Sequence, residues 1–365
     1  MHRCLMIGAG GMAGRWIRDF WAPFRDQERM TFTGLVDVNP SALREAGDWL
    51  GLPEGARFED VRAAFGAVEA DFCCIVTPPA FHREAVELAC ARGMDILSEK
   101  PIADTWDSCA AIAGAVKTAG VKMMVTQNYR YTRRILTLKR AIESLGAVNY
   151  AVAQYASDYR QRGAWGAMFR HEIAHSLLIE GAIHHLDQLR NLCGADCKSI
   201  AGWDWNPGIV RENRAVWQGS DAFDAESCAL LVLRMTNGSF ANYEGNNLAT
   251  GKTHSWHGEY YRVECEGGAV VLDRDHVVRI EERSAAGTLQ TREVAPVDVM
   301  WEGHQAIAGQ LLDWLDGGPT PVTTLADNLQ SAAMLFGAIR ASETGTVVDV
   351  EEMVRKLIMT PSRPG

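Results

Sequence analysis

The first third of the chain alternates short apolar runs with segments of helical spacing, and this alternation restricts the fold more than any other feature. The apolar runs read RCLMIGAG, FTGLVDVNP, DFCCIVTPP, MDILSEKP and VKMMVTQN. Segments such as MAGRWIRDFWAPF and TWDSCAAIAGAVKTAG lie between them and have helical periodicity. Strands that alternate with helices through short connections predict a parallel sheet covered by helices on both faces. We therefore expect residues 1–128 to form a doubly wound α/β domain.

The pattern changes after residue 128. An amphipathic helical segment, TRRILTLKRAIESLG, precedes several stretches with strand-like alternation, including SIAGWDWNP and ESCALLVLRMTNGSFANYEG. The TNGS tetrapeptide predicts a hairpin, because Asn-Gly readily adopts positive φ. Two helical segments follow near the end of the chain, EGHQAIAGQLLDWLDGG and LADNLQSAAMLFGAIRAS. Residues 129–365 are thus predicted to form an α+β domain with an open, mostly antiparallel sheet.

Composition and charge argue against several classes of protein. A chain of 365 residues is long for one ordinary core, which favours two domains. No apolar run reaches the roughly 20 residues that cross a membrane, and the N-terminus lacks a signal-peptide pattern. The nine cysteines form no C-x-x-C pair, which favours the reducing cytoplasm. The net charge of −10, without a long basic run, argues against nucleic acid as a partner.

A glycine-rich turn follows the first predicted strand. In GAGGMA, Gly8, Gly10 and Ala13 form a G-x-G-x-x-A pattern, with Gly11 and Met12 completing the turn. Gly8 allows a tight turn, Gly10 lets backbone N–H groups approach a pyrophosphate, and a small residue at 13 lets the helix pack closely. The motif is weak by itself, but its position between a strand and a helix predicts a Rossmann dinucleotide-binding domain.

Asp37 ends the second predicted strand. A carboxylate there can accept hydrogen bonds from both adenosine ribose hydroxyls and would repel a 2′-phosphate, so it predicts NAD(H) rather than NADP(H). Its spacing from the glycines is somewhat longer than the usual roughly 20 residues. The alternative interpretation is that Asp37 is only a turn residue before Asn39 and Pro40.

Lys100 comes directly after a predicted strand, in LSEKPIADT. In a parallel sheet this position is the carboxyl edge, where ligands bind in such folds. Pro101 holds the preceding lysine in an extended conformation. The lysine can then hydrogen-bond a substrate hydroxyl or help to remove its proton. The alternative is an ordinary surface lysine after a strand.

The segment 177–189, LLIEGAIHHLDQL, places carboxylates and histidines on one helix. Glu180 and His184 share a helix face, Asp187 lies close to that face, and His185 is rotated by about 100°. A carboxylate and an imidazole four residues apart can bind zinc, but no third ligand motif accompanies them, so we predict no metal. An acid–base site fits better, because a histidine titrates near neutrality. A buried polar helix is the remaining alternative, and the favoured one for His185.

These motifs resemble the glucose–fructose oxidoreductase, inositol dehydrogenase and rhizopine catabolism (Gfo/Idh/MocA) family. The resemblance rests on MIGAGGMAG, on VTPPAFHREAVELACARGMDILSEKPIADT and on NYRYT, with the EKP tripeptide as the most specific part. It implies a two-domain dehydrogenase that binds NAD or NADP tightly in its first domain. The substrates it implies are sugars, cyclitols or their derivatives. The second domain of such proteins carries an open sheet that often builds dimers or tetramers.

The resemblance also assigns roles on the helix that contains Glu180. The family has a D-x-x-x-H sequence whose histidine begins an H-x-x-D run, and that histidine matches His184, with Asp187 downstream. Glu180 stands in place of the family's aspartate. One additional methylene moves the carboxylate by about a bond length, and catalysis is sensitive to such shifts. The substrate could therefore differ from those of the relatives, or Glu180 could only bind a hydroxyl.

Further residues are predicted to line the site. The cofactor residues, besides the glycine turn and Asp37, are Thr77, Pro78, His82, Glu99, Lys100 and Asn128. The substrate residues are Lys100, Tyr129, Trp165, Arg170, His171, Glu180 and His184. A helix-capping role for His82, and ordinary surface packing for the aromatic- and arginine-rich segment 157–172, are the alternatives. Arg130 is a further candidate beside Tyr129.

Together with this resemblance, the motifs predict an NAD-dependent oxidoreductase that moves hydride between nicotinamide and a secondary hydroxyl carbon, and the resemblance implies a homodimer or homotetramer. Lys100 and His184 would bind and transfer the hydroxyl proton, with Glu180 positioning the imidazole ring or the substrate. One alternative is an NAD-dependent glycosidase that oxidises its substrate transiently and then eliminates. A non-catalytic, NAD-sensing regulator of the same fold is the other, and retention of both Lys100 and His184 disfavours it.

Overall fold

The computed structural model describes residues 1–157, 170, 172–206, 225–249 and 259–359. The chain divides into two compact units. The first comprises Met1–Tyr131, Met300–Ala332 and Leu357–Gly365, and the second comprises Thr132–Val299 and Ala333–Lys356. The assignment of residues 1–128 to cofactor binding and of 129–365 to substrate binding and oligomerisation stays a prediction.

The first unit contains the predicted parallel sheet. Its strands are β1 (His2–Ile7), β2 (Met30–Val36), β3 (Arg57–Phe58), β4 (Phe72–Ile75), β5 (Asp95–Ser98) and β6 (Met123–Val125). They lie in the order β3-β2-β1-β4-β5-β6, and every neighbouring pair is parallel. The strand order reverses direction at β1, so the carboxyl ends of β1 and β4 flank a topological switch point, where ligands bind in open α/β sheets. The doubly wound fold is thus confirmed.

Six helices connect these strands within the described part of the unit. They are α1 (Gly11–Arg15), α2 (Ala22–Asp26), α3 (Pro40–Leu50), α4 (Val61–Ala67), α5 (His82–Ala91) and α6 (Trp106–Ala119). A π-helical segment, Trp16–Phe20, joins α1 to α2, so the predicted first helix is broken into three pieces. Pro23 explains the second break, since proline is tolerated in the first helical turn but not further along a helix. Buried aromatic side chains, including Trp16, Trp21 and Phe24, pack this region against the sheet.

The second unit is built on a mixed, mostly antiparallel sheet. Its strands are β7 (Val148–Ala156), β8 (Cys197–Trp205), β9 (Cys228–Met235), β10 (Phe240–Asn246), β11 (Tyr260–Cys265), β12 (Gly268–Leu272), β13 (Val278–Arg283), β14 (Leu289–Glu293) and β15 (Val348–Asp349). Their order is β14-β13-β12-β11-β7-β10-β9-β8-β15, with β7 and β10 parallel. The hairpin predicted at TNGS joins β9 to β10, with Gly238 at φ 90°.

Two helices, α7 (Arg133–Glu143) and α8 (Ile183–Cys193), pack against one face of this second sheet. The opposite face carries the exposed residues of β9, where buried and exposed side chains alternate. Three further helices follow in the chain, namely α9 (Gly303–Leu315), α10 (Leu325–Thr344) and α11 (Val350–Met359). Among the helices in the described ranges, none combines the length and apolar character needed to span a membrane.

Candidate active site

The glycine turn after β1 has the geometry that a dinucleotide requires. Gly8 has φ 109°, and a Cβ at this position would lie 2.2 Å from the carbonyl oxygen of Val76, so no other residue fits. Ala13 is buried and would lie 3.1 Å from the same Cβ, which shows how closely the helix approaches the turn. The exposed residues Gly10 and Gly11 stand at the start of the helical run 11–20, where backbone N–H groups have no helical acceptor. The residues present fit a bound pyrophosphate.

Asp37 borders this turn from the end of β2. Its Oδ2 accepts hydrogen bonds from the backbone N–H groups of Ala9 (2.7 Å) and Gly10 (3.3 Å), and its Oδ1 accepts one from Asn39 (2.8 Å). The carboxylate therefore has the turn-stabilising role that the sequence left open. A carboxylate oxygen has further lone pairs, so these contacts are compatible with ribose binding, which stays a prediction.

Lys100 is half-buried and follows β5 after one intervening residue, Glu99. Glu99 is 8% exposed, and its carboxylate makes its contacts within the protein. Its carboxylate accepts hydrogen bonds from Trp16 Nε1 (2.8 Å), Thr126 Oγ1 (2.6 Å) and the backbone N–H of Lys100 (3.2 Å). These contacts fix the backbone at Lys100 to the helical segment after β1 and to the end of β6. The sequence had placed Glu99 among the cofactor residues, and that contact stays a prediction.

His304, near the start of α9, completes the surroundings of Glu99. Its Nε2 lies 3.6 Å from Glu99 Oε1, and its ring stacks on Phe20 with centroids 4.3 Å apart. Burial tends to raise the pKa of Glu99, but His304, Lys100 and Thr126 outweigh it and lower that pKa to about 2. His304 is not among the residues predicted from the sequence, because its helix shows only apolar periodicity.

His82 supports the same loop from the other side. Its ring is fully buried, with Nδ1 3.1 Å from the carbonyl oxygen of Pro101 and 3.2 Å from that of Ile102. Nε2 lies 2.8 Å from the carbonyl oxygen of Thr77. Burial lowers the pKa of His82. His82 thus joins the loop after β4 to the loop after Lys100, a structural role broader than capping, and its contact with the cofactor stays a prediction.

The other predicted residues of the first unit occupy the ends of strands. Thr77 is half-buried and Pro78 exposed in the loop after β4. The 3₁₀ turn Asn128–Tyr131 follows β6, and Asn128 and Tyr129 are buried there. Arg130 is also buried, and its guanidinium lies 3.2 Å from Asp327.

In the second unit, the helix with the predicted acid–base residues begins as a π-helical segment, Leu177–Ala182, and continues as α8. Glu180 and His184 are 3% and 5% exposed, and Asp187 is fully buried. Glu180 Oε2 accepts a hydrogen bond from Arg170 Nε at 2.9 Å, so two predicted substrate residues form an ion pair. Trp165 and His171 lie outside the described residues.

His185 is buried and contacts residues within the second unit. Its Nδ1 lies 3.1 Å from the hydroxyl of Tyr243, and its Nε2 lies 3.6 Å from Glu259. The ring of Tyr155 packs on it with centroids 4.8 Å apart. These contacts give His185 the structural role that its position on the helix favoured.

Comparisons with known proteins agree with this architecture. Residues 2–127 match a model described as the oxidoreductase family with an NAD-binding Rossmann fold, and residues 135–271 match the GFO/IDH/MocA C-terminal domain. The uncharacterised protein y4oX of Sinorhizobium fredii is 36% identical over 363 residues, which cover 97% of each chain. A D-apiose dehydrogenase of Paraburkholderia graminis is 24% identical over 95% of this chain and 89% of its own.

A similar solved structure is an oxidoreductase from Agrobacterium radiobacter in complex with NAD+, L-tartaric acid and magnesium. It has a TM-score of 0.80 and 21% identity, and it covers 96% of this chain and 99% of its own. At this identity the likeness shows the fold. The two family models and the match to y4oX show more: this chain belongs to the Gfo/Idh/MocA family of oxidoreductases, with an NAD-binding Rossmann fold.

Proposed function

We propose that the protein is an NAD-dependent dehydrogenase of sugars, cyclitols or their derivatives, acting at a secondary hydroxyl carbon. The observation that carries this proposal is the anchoring of Lys100 at the carboxyl edge of the parallel sheet by Glu99 and His82. Such anchoring suits a side chain that must meet a reacting atom within a narrow range of distance. The similarity to a D-apiose dehydrogenase supports a polyol substrate.

Lys100, His184 and Glu180 have different roles in the proposed reaction. Lys100 binds the substrate hydroxyl and shares in removing its proton, while His184 is the second group able to accept that proton. NAD+, when bound, supplies the hydride acceptor. Glu180 binds a substrate hydroxyl or orients His184, and Arg170 fixes its carboxylate through the 2.9 Å contact. The contact with Arg170 would hold the carboxylate of Glu180 in one position, although its side chain is one methylene longer than that of the family's aspartate.

The test is a survey of NADH formation with pentoses, hexoses, inositols and their acid derivatives. A dehydrogenase accumulates one NADH for each molecule oxidised. An enzyme that oxidises its substrate transiently and then eliminates a substituent releases a product without net NADH. Product release at constant NADH would therefore replace the dehydrogenase proposal with the glycosidase, and NAD binding without turnover of any polyol would favour a regulator.

Replacing Asp37 with asparagine is expected to weaken NAD binding about tenfold or more and to reduce the preference over NADP. The amide keeps an acceptor for the glycine turn but loses the charge, and a hydrogen bond to a charged group contributes about 1.5–3 kcal/mol. Titrations with NAD and NADP measure both affinities. Asp48→Asn, an exposed position on α3, is the control, and an unchanged NAD/NADP ratio in Asp37→Asn would contradict the ribose role.

We also propose that a second copy of the chain covers the outer face of the second sheet. Six large apolar side chains on this face are between 40% and 58% exposed: Tyr150, Trp203, Trp205, Leu230, Val232 and Phe240. Strand register brings them together, since Trp203 lies opposite Leu230 and Phe240 opposite Tyr150. Contiguous apolar patches of this kind mark protein interfaces.

Val232→Glu is expected to convert the oligomer to monomers, because it places a charge in the middle of the proposed interface. Sedimentation velocity measures the mass in solution. Val347→Glu, at a 69% exposed valine outside the strands, should leave the oligomer intact. A monomeric wild-type protein, or an unchanged mass for Val232→Glu, would refute this interface.

A reducing compartment, such as the cytoplasm, remains our proposal for where the protein works. All nine cysteines are free thiols, and eight of them are buried. Structural disulfides are common in oxidising compartments and rare in the cytoplasm.

A further inference from the structure

A second cluster of potential ligands lies in the second unit, apart from the residues assigned above. His175 precedes the helical segment of Glu180, Asp204 is near the end of β8, and Glu226 stands just before β9. One ligand atom from each lies within 4.8 Å of the others. Nδ1 of His175 is 2.9 Å from Oδ2 of Asp204 and 3.1 Å from Oδ1.

The cluster carries more negative charge than its single imidazole can balance. The Asp204 side chain is fully buried, and Glu343 on α10 adds a third carboxylate 3.5 Å from His175 Nε2. Among the residues that the structure describes, these carboxylates have no lysine or arginine within ion-pair distance. Glu343 is 59% exposed and therefore solvated, so the count concerns the buried Asp204 and the half-buried Glu226: an imidazolium at His175 would balance one of these two charges and leave the other. A buried carboxylate normally has a cationic partner or a metal.

The geometry around His175 is compatible with a metal ligand that has a supporting carboxylate. Donors bound to one ion at about 2.0–2.2 Å stand roughly 3 Å apart, which matches the separations between Nδ1 and the Asp204 oxygens. The other ring nitrogen lies 3.5 Å from Glu343 Oε1, on the side where metal-binding histidines commonly have a supporting carboxylate. Glu226 lies on the same side as Asp204, because its Oε2 accepts a hydrogen bond from the His175 backbone N–H at 2.6 Å.

We propose that His175, Asp204 and Glu226 bind a divalent transition-metal ion, with Nδ1 as the nitrogen ligand and Glu343 supporting the ring. One imidazole with two carboxylates suits Mn²⁺ or Zn²⁺, with water in the remaining positions. The ion would join the end of β8 and the segment before β9 to the start of the helix that carries Glu180 and His184. Leu177 N–H already donates to the Glu226 carbonyl oxygen at 3.1 Å, so a bound ion would strengthen an existing connection.

The test uses the full-length protein, treated with EDTA and then titrated with MnCl₂ alone, because Mn²⁺ avoids the thiols and is paramagnetic. Calorimetry is expected to give one ion per chain. Pulsed EPR of the wild-type complex is expected to show ¹⁴N coupling from a single imidazole. This readout needs neither a variant nor enzyme activity, so it is independent of the proposed dehydrogenase function.

Substitutions of the proposed ligand and supporting residues test where the ion binds. Asp204→Asn should weaken Mn²⁺ binding at least about tenfold and remove the rise in melting temperature that Mn²⁺ causes in the wild type. Glu343→Gln, at an exposed side chain, should weaken binding about tenfold, as for other supporting contacts. Asp316→Asn is the matched control, because that aspartate also pairs with a histidine, His2, but has Arg29 as a cationic partner.

Absence of Mn²⁺ binding, or binding without ¹⁴N coupling, would overturn the proposal. His175 would then be an imidazolium held by its carboxylates, in line with the raised pKa that Asp204 gives it. Binding that Asp204→Asn and Glu343→Gln leave unchanged would overturn it as well.

Discussion

Lys100→Met is expected to lower turnover by about 10²- to 10⁴-fold, the usual contribution of a general acid–base group, while NAD binding stays within a few-fold of wild type. Methionine retains most of the aliphatic length of lysine but cannot donate or accept the hydroxyl proton. The backbone contacts of position 100 to Glu99 and Thr126 involve only the N–H group, so they persist in the variant. The loss should therefore fall on kcat rather than on the fold.

His184→Asn is expected to act in the same direction, because it removes the second group proposed to accept the proton. Kinetics with the substrate found in the NADH survey, together with fluorescence titration of NAD, separates catalysis from cofactor binding. If Lys100 and His184 act on one proton, the double variant should lose much less than the product of the two single losses.

Two control variants accompany these substitutions. Lys117→Met removes an exposed lysine from α6, and His2→Gln removes a histidine that pairs with Asp316, away from the proposed site. Both should keep wild-type turnover. Wild-type turnover in Lys100→Met and His184→Asn as well would exclude these residues from the chemistry, whatever the substrate is.

The sequence predicted the elements whose signals are local. The strands β1, β2, β4, β5 and β6 each have an apolar run with a clear end, and all were expected. Strand β3 was missed, because two residues, Arg57–Phe58, are too few to show a pattern. The parallel pairing of β7 with β10 was also missed, since strand partners distant in the chain are chosen by tertiary packing rather than by local propensity.

The same distinction between local and long-range signals applies to the candidate active site. Lys100 and His184 stand in short motifs, and a motif can be recognised without knowing its neighbours. The contacts that hold Lys100 in place come from residues far along the chain. Trp16, Thr126 and His304 meet Glu99 only because the sheet and helices bring them together. The sequence shows none of these partners of Glu99, and its predicted contact with the cofactor stays a prediction beside them.

Glu99→Gln is expected to lower the free energy of unfolding by about 3 kcal/mol near neutral pH and to reduce kcat more than NAD affinity. The carboxylate accepts hydrogen bonds from three donors, and an amide has only one oxygen to offer them. Leaving a buried donor without its acceptor costs about 1–3 kcal/mol, and breaking a buried charge pair costs about 3–5 kcal/mol. The backbone of Lys100 loses its anchor at the same time.

The pH dependence of stability provides a second readout with a defined sign. The pKa of Glu99 falls from 4.5 to about 2 in the folded protein, so its stabilising contribution is complete above about pH 4.5 and is lost as the pH falls towards 2. This difference corresponds to about 3 kcal/mol, because one pKa unit is about 1.4 kcal/mol. Urea unfolding at several pH values should therefore show a steeper loss in the wild type than in Glu99→Gln over that window.

Glu45→Gln gives the matched control for this experiment. Glu45 is 73% exposed in its ion pair with Arg18, and removing such a surface pair changes stability by about 0–1 kcal/mol. Its pH profile should follow that of the wild type. If the stability of Glu99→Gln follows the wild-type pH profile, the low pKa of Glu99 is wrong. If the pH dependence of stability is weaker in Glu99→Gln but kcat is unchanged, Glu99 stabilises the fold without positioning Lys100. An effect on folding alone leaves the turnover of the folded enzyme intact.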